Sequence, residues 1–158
     1  MDKLGLPQDH SAHINIHLSN GKNPIELLPI FRDSISKLPL NVLARLTFEN
    51  EHSGFWTVSN IRSYFPNVPI VFDSLHYICN PDGILSFDDA FKSAILSWKQ
   101  VKPVFHHAEG KTKRDDRSHS DYIKQIPQIF SLYDVDIEVE AKAKNLAIFE
   151  YKKSLKEV

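Results

Sequence analysis

Val42-Leu43-Ala44-Arg45-Leu46-Thr47-Phe48-Glu49 is a short, mostly apolar run closed by a carboxylate. A run of this length and make-up reads as a buried strand rather than a helix. Four more runs have the same form: Ile14-Asn15-Ile16-His17, Pro69-Ile70-Val71-Phe72-Asp73, Pro103-Val104-Phe105-His106 and Val135-Asp136-Ile137-Glu138-Val139-Glu140. The last alternates more strongly, which predicts a less evenly buried strand.

Helical spacing fills the gaps between them. Asn23-Pro24 supplies an N-cap and a first-turn proline ahead of Ile25, Leu28, Ile35 and Leu38, with Pro29 as a point of kinking. Thr57 caps a short helix that ends before Pro66. Ser86-Phe87-Asp88-Asp89 resembles a capping box with Asp in place of Glu, and opens a face of Phe87, Ala90, Phe91, Ala94, Ile95 and Trp98. Tyr122, Ile123, Ile126, Ile129 and Phe130 predict a further helix interrupted by Pro127, and Ala143 to Leu155 a final one. Strand and helix therefore alternate five times. That order predicts an α/β fold with a parallel sheet and right-handed crossovers.

Composition sets the outer bounds. With 158 residues, 42% hydrophobic and 25% charged, the chain suits one domain with a real core. A net charge of -1 gives no overall basic field, so contact with nucleic acid would need a local patch or bound cations. Cys79 is the single cysteine, which excludes an internal disulfide and a cysteine-built zinc site, and reads as a small buried hydrophobe in a reducing compartment. No apolar run approaches the ~20 residues of a membrane span. Met1-Asp2-Lys3-Leu4-Gly5 lacks the apolar stretch of a signal peptide. These features predict an intracellular protein, cytoplasmic if bacterial, with no membrane partner.

Every strand run ends in a side chain able to hold a metal: His17, Glu49, Asp73, His106 and Glu140, at intervals of 32, 24, 33 and 34 residues. A (β/α)₈ barrel of ~250 residues allots a similar length to each unit, and its active site lies at the C-terminal ends of the strands. Parallel strands in equal register would bring all five ends to one face. His76 follows Asp73 by three residues, and His119 lies in the loop after His106, so both can turn back over that face. Three carboxylates and four imidazoles suit borderline divalent cations, Mn²⁺, Zn²⁺ or Fe²⁺. Seven ligands exceed the need of one tetrahedral ion and predict two or three ions sharing carboxylates. A site of this kind suits phosphodiester hydrolysis. His10, His13, His52 and His107 are not at the ends of the runs and are read as structural.

These stretches resemble the UV-damage endonuclease family, within the wider group of xylose-isomerase-like and abasic-site endonuclease barrels. The matching segments are Ile14 to His17, Arg45-Leu46-Thr47-Phe48-Glu49-Asn50-Glu51, Pro69 to His76 with Asn80-Pro81, Pro103 to His106, Arg117-Ser118-His119-Ser120-Asp121-Tyr122 and Glu138 to Lys144. The resemblance runs from about Leu6 to Ile148. It implies a TIM-like barrel holding two or three divalent ions, often manganese, through His17, Glu49, Asp73, His76, His106, His119 and Glu140. Glu49, Asp73, His106 and Glu140 form the catalytic set. It further implies incision of damaged double-stranded DNA 5′ to a UV photoproduct or similar lesion.

Several positions depart from the family pattern. Where members often carry a metal-bridging lysine two residues before the histidine of His106, this chain has Val104, with Lys102 nearby. Leu75 and Tyr77 flank His76 in place of a histidine-rich run, and Ala108 stands where a serine is usual. Five strands are also three short of a closed barrel, so residues 1–158 read as a single partial (β/α) barrel domain. A truncated product, one half of a split protein whose separate chain supplies the N-terminal strands, and a degenerate homologue all fit that count. Lys111, Lys113, Arg114 and Arg117 form a charged loop beside the expected site and are candidates for DNA phosphate contact. Lys142 and Lys144 follow Glu140; one could neutralise phosphate. Phe55-Trp56 reads as packing rather than base stacking. A sugar isomerase of the same barrel class and a non-catalytic binding module are the alternative functions.

Overall fold

A computed structural model describes residues 1–18 and 23–156. Its strands are β1 (Ile14–His17), β2 (Leu46–Glu49), β3 (Ile70–Val71), β4 (Val104–His107) and β5 (Asp136–Val139). β1, β2 and β3 pair in parallel and in chain order, as do β4 and β5. An isolated parallel bridge between Asp73 and His106 joins the two sets, and the His106 amide donates to the Phe72 carbonyl at 3.0 Å. The five strands thus follow one another as the alternation of runs and helices predicts.

Parallel pairing requires crossovers. The helices are α1 (Pro24–Ser36), α2 (Leu40–Leu43), α3 (Val58–Tyr64), α4 (Ser74–Cys79), α5 (Phe87–Ser97) and α6 (Asn145–Ser154). Asn23, Thr57 and Ser86 each accept a backbone N–H two to three residues inside their helix, as expected of N-caps. Pro29 is held within α1.

Side chains alternate along each strand, so register decides what each face carries. Phe48 pairs with Ile70, and the bridge puts Phe72 level with Phe105. These four are fully buried on the helix-covered face. Phe48 meets Phe65 at 5.0 Å between ring centroids, while Phe91 of α5 meets Phe105 at 5.1 Å and Phe130 at 4.8 Å. The first two pairs are edge-to-face and the third is tilted; edge-to-face packing adds about 0.5–1.5 kcal/mol per pair beyond the burial itself. The opposite face carries Asn15, His17, Thr47, Glu49, Asp73 and His106.

The structure corrects three expectations. Val42 and Leu43 belong to α2 rather than to a strand, because Pro39 opens a helical turn there and only Leu46–Glu49 reaches the sheet. The predicted helix over 122–130 does not form. Glu109 Oε1 instead accepts the amides of Lys124 and Gln125, each at 2.8 Å, and the only regular element is a 3₁₀ turn at Gln128–Leu132, after Pro127. The fourth crossover is therefore a structured loop. Cys79 is only half-buried, with its thiol against the Asp115 carbonyl, so it is not part of the core.

A buried arginine ties the chain beneath the sheet. Arg45 donates to the carbonyls of Leu6, Pro7 and Asn41 and pairs with Asp2 at 2.7 Å. Among the described residues, β1 and β5 each have one unpaired edge. α1 exposes Ile25 and Ile30, and α6 exposes Leu146 and Phe149. No described helix is long and apolar enough to cross a membrane.

Candidate metal centre

Equal register carries the ends of the strands to one mouth. His17 stands level with Glu49, and Asp73 is level with His106, which is level with Glu138. Glu140 lies one residue beyond β5 and still reaches inward. Glu49 is the hub. Its Oε1 is 3.1 Å from His76 Nδ1, and its Oε2 is 3.3 Å from His106 Nδ1 and 3.6 Å from His17 Nε2. His106 Nδ1 is 3.4 Å from Glu140 Oε1, and Glu140 Oε2 is 3.6 Å from His119 Nε2. Asp73 joins Glu49 and His106 in a group whose potential ligand atoms lie within 4.8 Å of one another. His17, Glu49 and His76 form a second such group. All seven residues expected from the sequence are therefore neighbours.

His119 comes from the loop after β4, which is closed by a bridge between Gly110 and His119 and by the Lys111 amide donating to the Ser118 carbonyl at 2.8 Å. A Cβ on Gly110 would sit 2.1 Å from the Lys113 carbonyl oxygen, so the turn accepts only glycine as drawn.

Asp73 is fixed by its backbone as well as its side chain. Asn50 forms a two-point clamp: its amide nitrogen donates to the Asp73 carbonyl at 3.0 Å, and its oxygen accepts the Asp73 N–H at 2.8 Å. Asp73 Oδ1 caps α4 by accepting the His76 amide at 2.7 Å. This leaves Asp73 Oδ2 buried without a hydrogen-bond partner, and His106 Nδ1, although charged groups of Glu49 and Glu140 stand 3.3 and 3.4 Å away, makes no hydrogen bond of proper geometry. An orphaned buried polar atom costs about 1–3 kcal/mol. Two of them in one ligand group are what a cation would satisfy, since ligands at ~2.0–2.2 Å from an ion stand a few ångströms from each other. The donor set fits borderline divalent ions.

The charges follow from the same contacts. Burial alone would raise the pKa of Glu49, but His106 and His76 outweigh it and hold the carboxyl well below its usual range. Burial alone would lower both imidazoles; Glu49 instead raises His76 to about 9 and His106 to about 8. Burial pushes the Glu140 carboxyl up.

Several expected structural residues stay structural. His10 and His13 pack edge-on against Trp98 at 6.4 and 5.5 Å, near the strand starts. His107 points to the helix side, with Nδ1 2.7 Å from the Ser74 hydroxyl and Nε2 2.9 Å from the Gln125 carbonyl, so neither nitrogen is free for a metal. His52, expected to be structural like these, instead has its ring 5.2 Å from that of His76, beside the site. Lys102 does not replace the missing family lysine, because its ammonium is held by Asp134 and Asp136, both at 2.8 Å.

Sequence reasoning also missed partners. Glu51 Oε1 lies 3.2 Å from His17 Nδ1, and Asn15 donates to Glu49. The available signal was Glu49-Asn50-Glu51, three polar residues in a row closing an apolar run, and all three prove buried. Of the charged loop, Lys111, Lys113 and Arg114 line an open cleft of about 560 Å³ shared with His107, Lys124 and Gln125. Arg117 alone lines a different cleft, with His119 and Glu140.

A parallel (β/α) array with imidazoles and carboxylates gathered at the strand ends defines an α/β protein with a candidate divalent-metal site. Residues 1–158 match the family described as UV-endonuclease UvdE, and the chain belongs to that family. It is 33% identical over 155 residues to the UV DNA damage endonuclease of Nostoc sp. (strain PCC 7120), covering 93% of this chain and 46% of the relative. The UV DNA damage endonuclease of Bacillus velezensis is 28% identical over 159 residues, covering 94% of this chain and 49% of its own length. The solved structure described as the crystal structure of SacUVDE matches with a TM-score of 0.79 at 27% identity, over 92% of this chain and 51% of that one. The chain thus spans about half the length of the relatives it matches. The sugar-isomerase alternative receives no support from these matches.

Proposed function

We propose that this chain carries the metal-binding part of a DNA-repair endonuclease that incises the phosphodiester backbone 5′ to UV photoproducts or similar lesions. One observation carries the reading: seven imidazole and carboxylate groups from the ends of five strands and the segments after β3 and β4 meet at one mouth, with Asp73 Oδ2 left buried and without a partner there. His17, Glu49, Asp73, His76, His106, His119 and Glu140 would hold two or three divalent cations, Mn²⁺ in the first place, with Zn²⁺ or Fe²⁺ as alternatives. Such cations, when bound, supply hydroxide near neutral pH and stabilise a leaving oxygen. Glu49, Asp73, His106 and Glu140 form the catalytic set. Glu49 orients His76 and His106 by direct contact, while Asn50 sets the position of Asp73. The loop carrying Lys111, Lys113, Arg114 and Arg117 would face the damaged duplex. Action on DNA places the protein inside the cell, in the cytoplasm if its source is bacterial.

The unpaired edges of β1 and β5 and the apolar faces of α1 and α6 support a further part of the proposal. Additional strands, from a separate chain or segment, would cover them, since open edges and bare apolar faces are otherwise liabilities. The test is nicking of UV-irradiated supercoiled plasmid in Mn²⁺, with the protein alone and with a segment supplying the rest of a full-length relative. Damage-dependent nicking that requires the metal is the expected result. Absence of nicking under every combination, with the added segment shown to bind, would overturn the reading.

A further inference from the structure

Lys144 has φ 54° and ψ −129°, a backbone conformation that glycine adopts freely and other residues rarely do. A lysine held there carries strain that a glycine would relieve, and strain of this kind gathers at functional sites. The local backbone enforces it: the Lys142 and Ala143 amides donate to the Ser120 and Asp121 carbonyls, each at 3.0 Å, and the Lys144 amide donates to the Ala141 carbonyl at 3.0 Å. This segment lines an open cleft of about 580 Å³ with Arg117, His119, Glu138 and Glu140.

The cleft has three cationic residues, Arg117, Lys142 and Lys144, and none has an ion pair or side-chain hydrogen bond among the described residues. Lys113, in contrast, is paired with Asp115 at 3.2 Å, and Lys102 with two aspartates. Two acids, Glu138 and Glu140, line the cleft as well, and both lie against imidazoles of the metal-ligand cluster. Glu140 faces His106 and His119, and Glu138 Oε2 lies 3.7 Å from His106 Nε2. Three cations against two acids, with the acids held toward His106 and His119, leave a net positive excess directly beside the metal-ligand cluster.

We infer that Arg117, Lys142 and Lys144 form a phosphate-binding subsite next to the metal centre, taking a backbone phosphate of the nucleic-acid substrate. This rests on the proposed function for the identity of the ligand and goes beyond it in moving the principal contact. Lys111 and Arg114 line the other cleft, toward the side where His107 points, and do not share this subsite. Phosphate contacts of this type position a duplex without reading its sequence.

Inorganic phosphate, titrated into the full chain without metal and followed by amide NMR shifts, tests the subsite apart from any nuclease activity. Shifts centred on Arg117 and Lys142 to Asn145, lost in Lys142→Gln and in Lys144→Gln, are expected. Lys144→Gly separates charge from strain: it should keep or raise the melting temperature while weakening phosphate binding several-fold. The Lys111→Gln, Arg114→Gln double variant should bind as the parent does. Shifts centred on 111–114, shifts scattered over the surface, or unchanged binding in both lysine variants would overturn the inference. If phosphate maps to this cleft while no duplex is bound or nicked, the functional proposal fails and the subsite stands. On DNA, neutralising Lys142 and Lys144 together should lower the salt slope of binding by about 1.8, at ~0.9 for each cation lost.

Discussion

Loading the mouth with Mn²⁺ should expel protons, and the number follows from Glu49. At pH 7 that carboxylate holds two imidazoliums, His76 with a pKa of about 9 and His106 with a pKa of about 8. A cation cannot share a ring nitrogen with a proton. Binding in the group of His17, Glu49 and His76 should therefore release about one proton up to pH ~9, and binding in the group of Glu49, Asp73 and His106 about one up to pH ~8. Apparent affinity at each position then rises about tenfold per pH unit below those limits. Between pH 6 and 8 that amounts to about 90-fold at the His76 position and about 50-fold at the His106 position, or about 2.7 and 2.3 kcal/mol at ~1.36 kcal/mol per unit. Calorimetric titration at pH 7 in buffers of different ionisation enthalpy measures the protons directly, and about two should leave when both positions fill. Affinity independent of pH from 6 to 8, with no proton release, would refute the argument that Glu49 holds these two rings charged.

Without metal, the same contacts reverse the sign. His76 and His106 have folded pKa values raised above 6.5, so their pairing with Glu49 stabilises fully below about pH 6.5 and is lost as pH rises through 8 to 9. Melting of the metal-free protein should show a loss of roughly 4–5 kcal/mol between pH 6 and pH 9, and a flat profile would count against it. Glu49, with its pKa lowered, contributes stability that should disappear as pH falls below about 4.5. Asn50→Ala removes both arms of the Asp73 clamp and should cost about 2–3 kcal/mol in denaturant unfolding, with metal affinity weakened about 10-fold or more. Gly110→Ala should displace the loop that carries His119 and weaken binding at the Glu140–His119 end, while leaving the proton release tied to His76 intact.

The strand ends were legible because each run is short and apolar and closes on a polar residue, and because a parallel sheet gives such ends a common face. The three helix N-caps, Asn23, Thr57 and Ser86, were legible for a local reason: cap and capped amide lie within three residues. What escaped was non-local. Asn50 reaches the backbone of Asp73 across 23 positions, and Glu51 reaches His17 across 34, so neither leaves a periodic trace. The loop over 122–127 carries a helical spacing of isoleucines, yet Glu109 captures its amides from 15 residues away. Val42 and Leu43 read as strand because they continue an apolar run, although the turn following Pro39 takes them. The charged loop illustrates the same limit, since Arg117 and Arg114 are three residues apart and line different clefts.

Anomalous diffraction from crystals of the protein grown with Mn²⁺ addresses the metal centre without reference to activity. One peak bounded by His17, Glu49 and His76 and a second bounded by Glu49, Asp73 and His106 are predicted, with Asp73 Oδ2 and His106 drawn onto the second ion. Peaks away from Glu49, or none at saturating Mn²⁺, Zn²⁺ and Fe²⁺, would contradict the account.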